Sequence, residues 1–374
     1  MKFFFLLLCL FFLVEISSYL LTKLKIFNSY TIPSYSKFDT KGNYWRNEAQ
    51  PWGAWHKVNS FTTHKDRCIN TTYQSNDIGA RDNKDYLNLK SENNIILLGD
   101  SFAEGYGVDI ESTFPKLIEK IFNINVLNLG TSGSFGSLQA YLIYKHYKEI
   151  LPHEKVILFF LPANDFIDND PRKIIGSRYR PYFYKIPESE NEFNFFYPEN
   201  AKPSPNYFPS GKNENVKKIE NFLVNYTYSV NFLREVIFIF NNYKNYDTFY
   251  IPNKKNKGYF FDDKYAIDGT IFYIDKIAQD IYENKKDLTI IIIPSLEDIY
   301  QILDSNDKYY NYYWHKKIKD IEKKYKFKII DLAEDENFFF DKSLDWKSIF
   351  LSCDGHWSEN GHSMAAKKFI NYLR

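Results

Sequence analysis

The sequence predicts an α/β fold, doubly wound around a mainly parallel sheet of about five strands, and three observations predict it. Five short apolar runs, at 95–98, 125–129, 155–161, 288–293 and 327–331, have strand length and end at Gly, Pro or Asp. Stretches with helical apolar spacing separate them, and continuous apolar strands between helices are those that a sheet buries on both faces. The first run ends in Gly99-Asp100-Ser101, which places an acid and a hydroxyl at the carboxyl end of a strand. In open parallel sheets the ligand crevice forms there.

Taken in order, residues 1–22 open with Lys2 and the run FFFLLLCLFFLV, interrupted by Glu15. The run matches a signal-peptide core and is short of the roughly 20 apolar residues of a full span. It is read as a signal sequence or membrane anchor. Residues 23–93 are polar, without sustained period, and are expected to form an irregular lead-in wrapping the core. Within them, Asn76 and Gly79 mark a turn, and Arg81 reads as a surface cation, a buried ion pair or substrate contact being the sharper alternative. Helices are expected at 113–122 and 138–150, then at 271–283, 309–325 and 358–373. The main domain is placed at 94–374 with an insertion at about 166–285, in which 216–240 is helical but too charged for a second span.

Lys plus Arg number 48 and Asp plus Glu 47, a net charge of +1 with no basic block, which argues against nucleic acid as a partner. The three cysteines, Cys9, Cys68 and Cys353, show no metal-binding spacing, so a structural zinc site is disfavoured and no metal or organic cofactor is called for. Cys68 and Cys353 are either a disulfide pair in an oxidising compartment or two free thiols.

Three loops follow the first three strands, and a fourth precedes the last helix: GDS at 99–101, TSGS at 131–134, AND at 163–165 and DGHWS at 354–358. A parallel sheet gathers such loops at one edge, and their contents suit acyl transfer. Ser101 can attack, His356 can take its proton, and Asp354 can hold the second imidazole nitrogen. The N–H of Ser101, the N–H of Gly133 and the side-chain amide of Asn164 can receive an oxyanion. Each block has a plainer reading. GDS is ordinary turn chemistry, the glycine loop could cradle a phosphate, and Asn164-Asp165 could cap a helix. Asp165 is an alternative acid, Asp100 is expected to organise its loop, and His362, inside the last helix, is read as structural.

These blocks resemble the SGNH (GDSL-type) hydrolase family over residues 94–165 and 354–373. The resemblance assigns Ser101 as nucleophile, Gly133 and Asn164 as oxyanion donors, and Asp354 with His356 as the rest of the triad. Asn76, Gly79 and Arg81 are similar to an Asn-x-x-Gly-x-Arg segment of one group of these proteins. Asp354-Gly355-His356-Trp357 departs from the common D-x-x-H spacing and resembles the exported branch acting on polysaccharide O-acyl groups. The resemblance implies a flavodoxin-like three-layer α/β/α fold and a serine ester hydrolase working through an acyl-enzyme on O-acylated carbohydrate. With a sugar hydroxyl as acceptor the same triad gives an O-acyltransferase, and a non-catalytic glycan-binding member is the rival. The catalytic domain is expected outside the cytoplasm, exported or held at the membrane by the N-terminal segment.

Overall fold

The structure is a computed structural model that describes residues 2–24, 48–66, 69–91, 93–133, 135–173, 179–189, 191–198, 219, 222–224, 226–241, 258–304, 312–334, 348–351 and 354–373. Cys68 and Cys353 lie outside the described residues, as does much of the insertion. The chain divides into two compact units, one of residues 1–41, 63–71 and 208–251, the other of 42–62, 72–207 and 252–374.

In the smaller unit, α1 (Lys2–Lys23) is long and apolar enough to cross a membrane, its most apolar 18-residue stretch having a mean hydropathy of 2.4. The acid that interrupts its apolar run has a partner there. The Glu15 carboxylate accepts the N–H groups of Tyr228 and, at 3.0 Å, Ser229, at the start of the helix Tyr228–Asn241. Two orphan donors of that helix N-terminus are thereby satisfied, which is how a carboxylate is accommodated on so apolar a helix.

The lead-in holds more regular structure than its composition suggests. Strands β1 (Glu48–Gln50) and β2 (Gly53–Trp55) form one antiparallel hairpin, and β3 (Phe61–Asp66) pairs with β4 (Ile69–Gln74). Along β4, Ile69, Thr71 and Tyr73 are buried while Asn70, Thr72 and Gln74 face out. The alternation is real, but threonine and tyrosine carry it, so hydropathy alone hides it.

The larger unit is built on β5 (Asn94–Leu98), α2 (Ser101–Glu104), α3 (Phe114–Phe122), β6 (Asn125–Asn128), α4 (Ser137–Tyr147), β7 (Lys155–Phe160) and α5 (Pro162–Asp168). A short hairpin of β8 (Tyr182–Lys185) and β9 (Phe193–Phe196) follows within the insertion. After α6 (Tyr228–Asn241) of the smaller unit come α7 (Lys264–Glu283), β10 (Asp287–Ile292), α8 (Leu296–Asp304), α9 (Tyr313–Tyr325), β11 (Lys328–Asp331) and α10 (Glu359–Leu373). Helix α7 starts at Lys264, not at Ile271, because the Asp263 carboxylate caps it by accepting from the N–H groups of Tyr265 and Ala266. Helix α8 was not anticipated.

The five central strands are all parallel and lie side by side as β6-β5-β7-β10-β11. Numbered along the chain this is the order 2-1-3-4-5, the flavodoxin-like winding expected. Alternate residues feed the two layers. Ile96, Leu98, Val156, Leu158, Phe160, Ile290 and Ile292 enter one core with α4, α7 and α9. Phe159 points the other way, 4.9 Å from the ring of Phe114 on α3, which in turn meets Phe369 on α10. The winding reverses between β5 and β7, so the crevice of the fold opens where Ser101 and Asn164 leave the sheet.

Candidate active site

Strand β5 is buried throughout and stops at Gly99, whose φ of +147° and missing Cβ let the chain turn against β7. A Cβ there would stand 2.8 Å from that of Phe159, so the turn excludes other residues. Asp100 then caps α2, its side chain accepting the Phe102 N–H at 2.9 Å. Ser101 becomes the first residue of a helical turn and is 5% exposed.

His356 arrives from the far end of the chain on a loop clamped at its base. Leu351 N–H donates to His356 O, Ser358 N–H donates to Ile349 O, both at 2.8 Å, and Phe350 bridges Trp357. The imidazole Nε2 stands 2.6 Å from Ser101 Oγ, and Nδ1 is hydrogen-bonded to Asp354 Oδ1. A carboxylate only accepts, so Nδ1 carries the proton and Nε2 presents its lone pair to the serine hydroxyl. Asp354 Oδ1 also receives the backbone N–H of His356 at 3.1 Å, which the short Asp-Gly-His spacing makes geometrically available. Tyr106 and Phe102 flank the ring at centroid distances of 4.5 and 5.2 Å.

The second and third blocks sit beside this turn. Thr131 N–H donates to Gly99 O at 3.2 Å, and Gly133 follows with a φ of +97°, a left-handed conformation that suits glycine. Asn164 lies in the first turn of α5, and its side-chain amide is 3.5 Å from Asp100 Oδ2, at the long limit of a hydrogen bond. Asp165, the alternative acid, is buried and accepts the Leu161 N–H at 2.9 Å, from the residue just before α5.

Asp100 and Asp165 are buried near each other, and burial is the main reason both carboxyls titrate upward; Asp100 is pushed up to about 6. A folded pKa above the unfolded one means that the protonated form favours folding. The contribution is full below about 3.8 and is lost as pH rises through about 6. Asp100→Asn keeps a capping oxygen but no charge. The wild-type melting midpoint is therefore expected to fall relative to Asp100→Asn between about pH 4 and 7, as calorimetry can measure.

Three residues that the sequence reading left out or misplaced lie behind the site. Arg81, read as a surface cation, is 2% exposed. Its guanidinium donates to Glu104 O at 3.1 Å, to Gly105 O and to Val108 O at 2.7 Å, and it stacks on Tyr73. It thus satisfies the orphan carbonyls at the carboxyl end of the serine helix. Glu104, on that same helix, is fully buried, and its carboxylate accepts the N–H of Ser132, one residue before Gly133. His56 is also fully buried, with Nδ1 on Gly79 O and Nε2 on Thr131 Oγ1, both at 2.9 Å, and Nε2 is 3.5 Å from Glu104. Asn76 holds the Gly79 turn, its side-chain oxygen accepting from Ile78 and Ala80 N–H. The Asn76-x-x-Gly79-x-Arg81 segment therefore reaches both the serine helix and the loop of Gly133. The only advance sign was that motif, since burial of single polar residues has no local pattern.

His362 is 1% exposed, and its Nδ1 accepts the Phe114 N–H at 3.2 Å. Burial pushes its imidazole down to about 3, so it is a neutral packing residue, as expected.

No protein-family model and no curated protein matches the chain. Among solved structures, it is similar to a lipolytic protein of the G-D-S-L family from Veillonella parvula DSM 2008, with 13% identity, a TM-score of 0.39 and coverage of 74% of this chain and 96% of that one. An acetyl xylan esterase is similar at 11% identity and a TM-score of 0.38, over 75% of this chain and 100% of that one. In the order of its four blocks, the winding of its sheet and the way Ser101, His356 and Asp354 meet, the chain resembles the SGNH (GDSL-type) hydrolases.

Proposed function

We propose that the protein is a serine-dependent ester hydrolase acting on an acyl ester, with O-acylated carbohydrate as the substrate class. The observation that carries this reading is the 2.6 Å contact between Ser101 Oγ and His356 Nε2, with Asp354 on the opposite nitrogen. His356 removes the serine proton as Oγ attacks the acyl carbon, and Asp354 stabilises the imidazolium that forms. The N–H groups of Ser101 and Gly133 and the amide of Asn164 receive the tetrahedral oxyanion. The weak hold of Asp100 on Asn164 leaves that amide available to a stronger acceptor. His356 then returns its proton to the leaving alcohol, and water cleaves the acyl-enzyme by the reverse sequence. A sugar hydroxyl in place of that water would make the reaction O-acyl transfer. The spacing of Asp354, His356 and Trp357 supports the carbohydrate class, and α1 supports catalysis at a membrane surface outside the cytoplasm.

The test is to expose the full chain in detergent micelles to a fluorophosphonate probe and to p-nitrophenyl acetate. Wild type is expected to be labelled and to release nitrophenol, and Ser101→Ala to do neither. Absence of both in the folded wild type would overturn the proposal in favour of a binding protein.

A further inference from the structure

We infer that His315, Asp331 and Glu334 form a binding site for one divalent transition-metal ion of the zinc class, separate from the serine site. Asp331 is the last residue of β11, the outer strand of the sheet, and so stands at the strand's carboxyl end. A turn closed by the Glu334 N–H on Asp331 O, at 3.2 Å, brings Glu334 back over it. Helix α9 supplies His315 from its first turn. One donor atom from each of the three lies within 4.8 Å of the other two, and His315 Nε2 is 3.6 Å from Glu334 Oε1.

The second observation is the state of Asp331, which is 4% exposed. Its Oδ1 accepts from the Tyr259 hydroxyl at 2.7 Å and from the Ala333 N–H at 2.9 Å. Its Oδ2 is buried and has no hydrogen-bond partner among the described residues. A buried carboxylate oxygen with unused lone pairs is costly, and a cation shared with Glu334 and His315 would use them. Tyr259 already orients the carboxylate from behind, the kind of support that metal-ligating carboxylates have. One imidazole nitrogen with two carboxylates suits zinc or manganese, whereas calcium and magnesium favour sites made of oxygen alone. The Glu334 side chain is 45% exposed, so solvent and an ion have access from that side. The three positions come from a helix, a strand end and a turn, which is why no ligand motif appears in the sequence.

The experiment uses the full chain in detergent micelles, stripped with a chelator and titrated with zinc, manganese, magnesium or calcium chloride in a calorimeter. One zinc per chain is expected, with magnesium and calcium failing to compete at equal concentration. Glu334→Gln should weaken zinc binding at least ~10-fold while the metal-free protein stays folded, its melting midpoint lowered only by the loss of the half-exposed contact with His315. His315→Gln should abolish binding, but it alters a buried group, so the exposed Glu334 carries the decision if that variant does not fold. No zinc uptake by wild type, or equal uptake by wild type and Glu334→Gln, would overturn the inference. Serine labelling by the fluorophosphonate is expected to be independent of zinc, so failure here leaves the ester-hydrolase reading standing.

Discussion

Replacing His356 with alanine is expected to lower kcat for p-nitrophenyl acetate by roughly 10⁴- to 10⁶-fold, the loss that follows removal of a triad base. The magnitude follows from the geometry. His356 Nε2 is 2.6 Å from the Ser101 hydroxyl, and no other described histidine approaches that oxygen in a hydrogen bond. Without the base, Ser101 must ionise by itself near neutral pH, where a serine hydroxyl does not. KM should change little, because the imidazole acts on the serine proton and does not provide the acyl pocket. His362→Ala is the control. It should reduce thermal stability, since it removes a buried ring packed edge-on 5.4 Å from Trp357, yet leave kcat per folded molecule near wild type. Steady-state kinetics with active-site titration separates the two effects. Equal loss of kcat in both variants would show that His356 is not the base.

Glu104→Ala is expected to cost both stability and turnover. The carboxylate is fully buried and holds the Ser132 N–H, so its removal leaves that donor and His56 without a partner they now share. Leaving a buried donor unsatisfied typically costs about 1–3 kcal/mol. The catalytic consequence runs through Gly133. Glu104 belongs to the helix that begins with Ser101, and its side chain grips the loop that carries Gly133. One residue therefore ties the helix of Ser101 to the loop of Gly133, the proposed nucleophile and oxyanion donor. Loosening that loop should lower kcat by about 10²- to 10³-fold, comparable to loss of one oxyanion donor. Glu104→Gln retains an oxygen for the Ser132 N–H and should recover most of kcat while staying less stable. Melting midpoints and kcat measured on the same preparations would tell positioning from stability. Full kcat in folded Glu104→Ala would refute the positioning role.

Much of this fold was legible because its central strands are buried on both faces. Ile95–Leu98, Lys155–Leu161 and Leu288–Ile293 read as apolar runs, and their ends at Gly99, Pro162 and Pro294 are local backbone chemistry. The lead-in hairpins were not legible. β4 buries threonine and tyrosine on its inner side, and β1 and β2 are three residues each, too short for a period. Helix α7 was shortened in the reading because the Asp263 cap, seen only with its two bonded N–H groups, outweighs a weak apolar pattern at its start.

By itself the sequence placed the candidate site residues, which stand in blocks: Ser101 after a strand, Gly133 and Asn164 after the next two, and Asp354 beside His356. Each rests on residues adjacent in the chain, where propensity and spacing act directly. Only the tertiary structure decided that His356 meets Ser101 across 255 positions, that Arg81 is buried under the serine helix, and that Glu104 and His56 back the glycine loop. The same holds for His315, Asp331 and Glu334, which no spacing would group. The physical reason is common to all of them. A polar side chain is buried only if distant partners satisfy it, and those partners exist only once the sheet has brought separate loops to one edge.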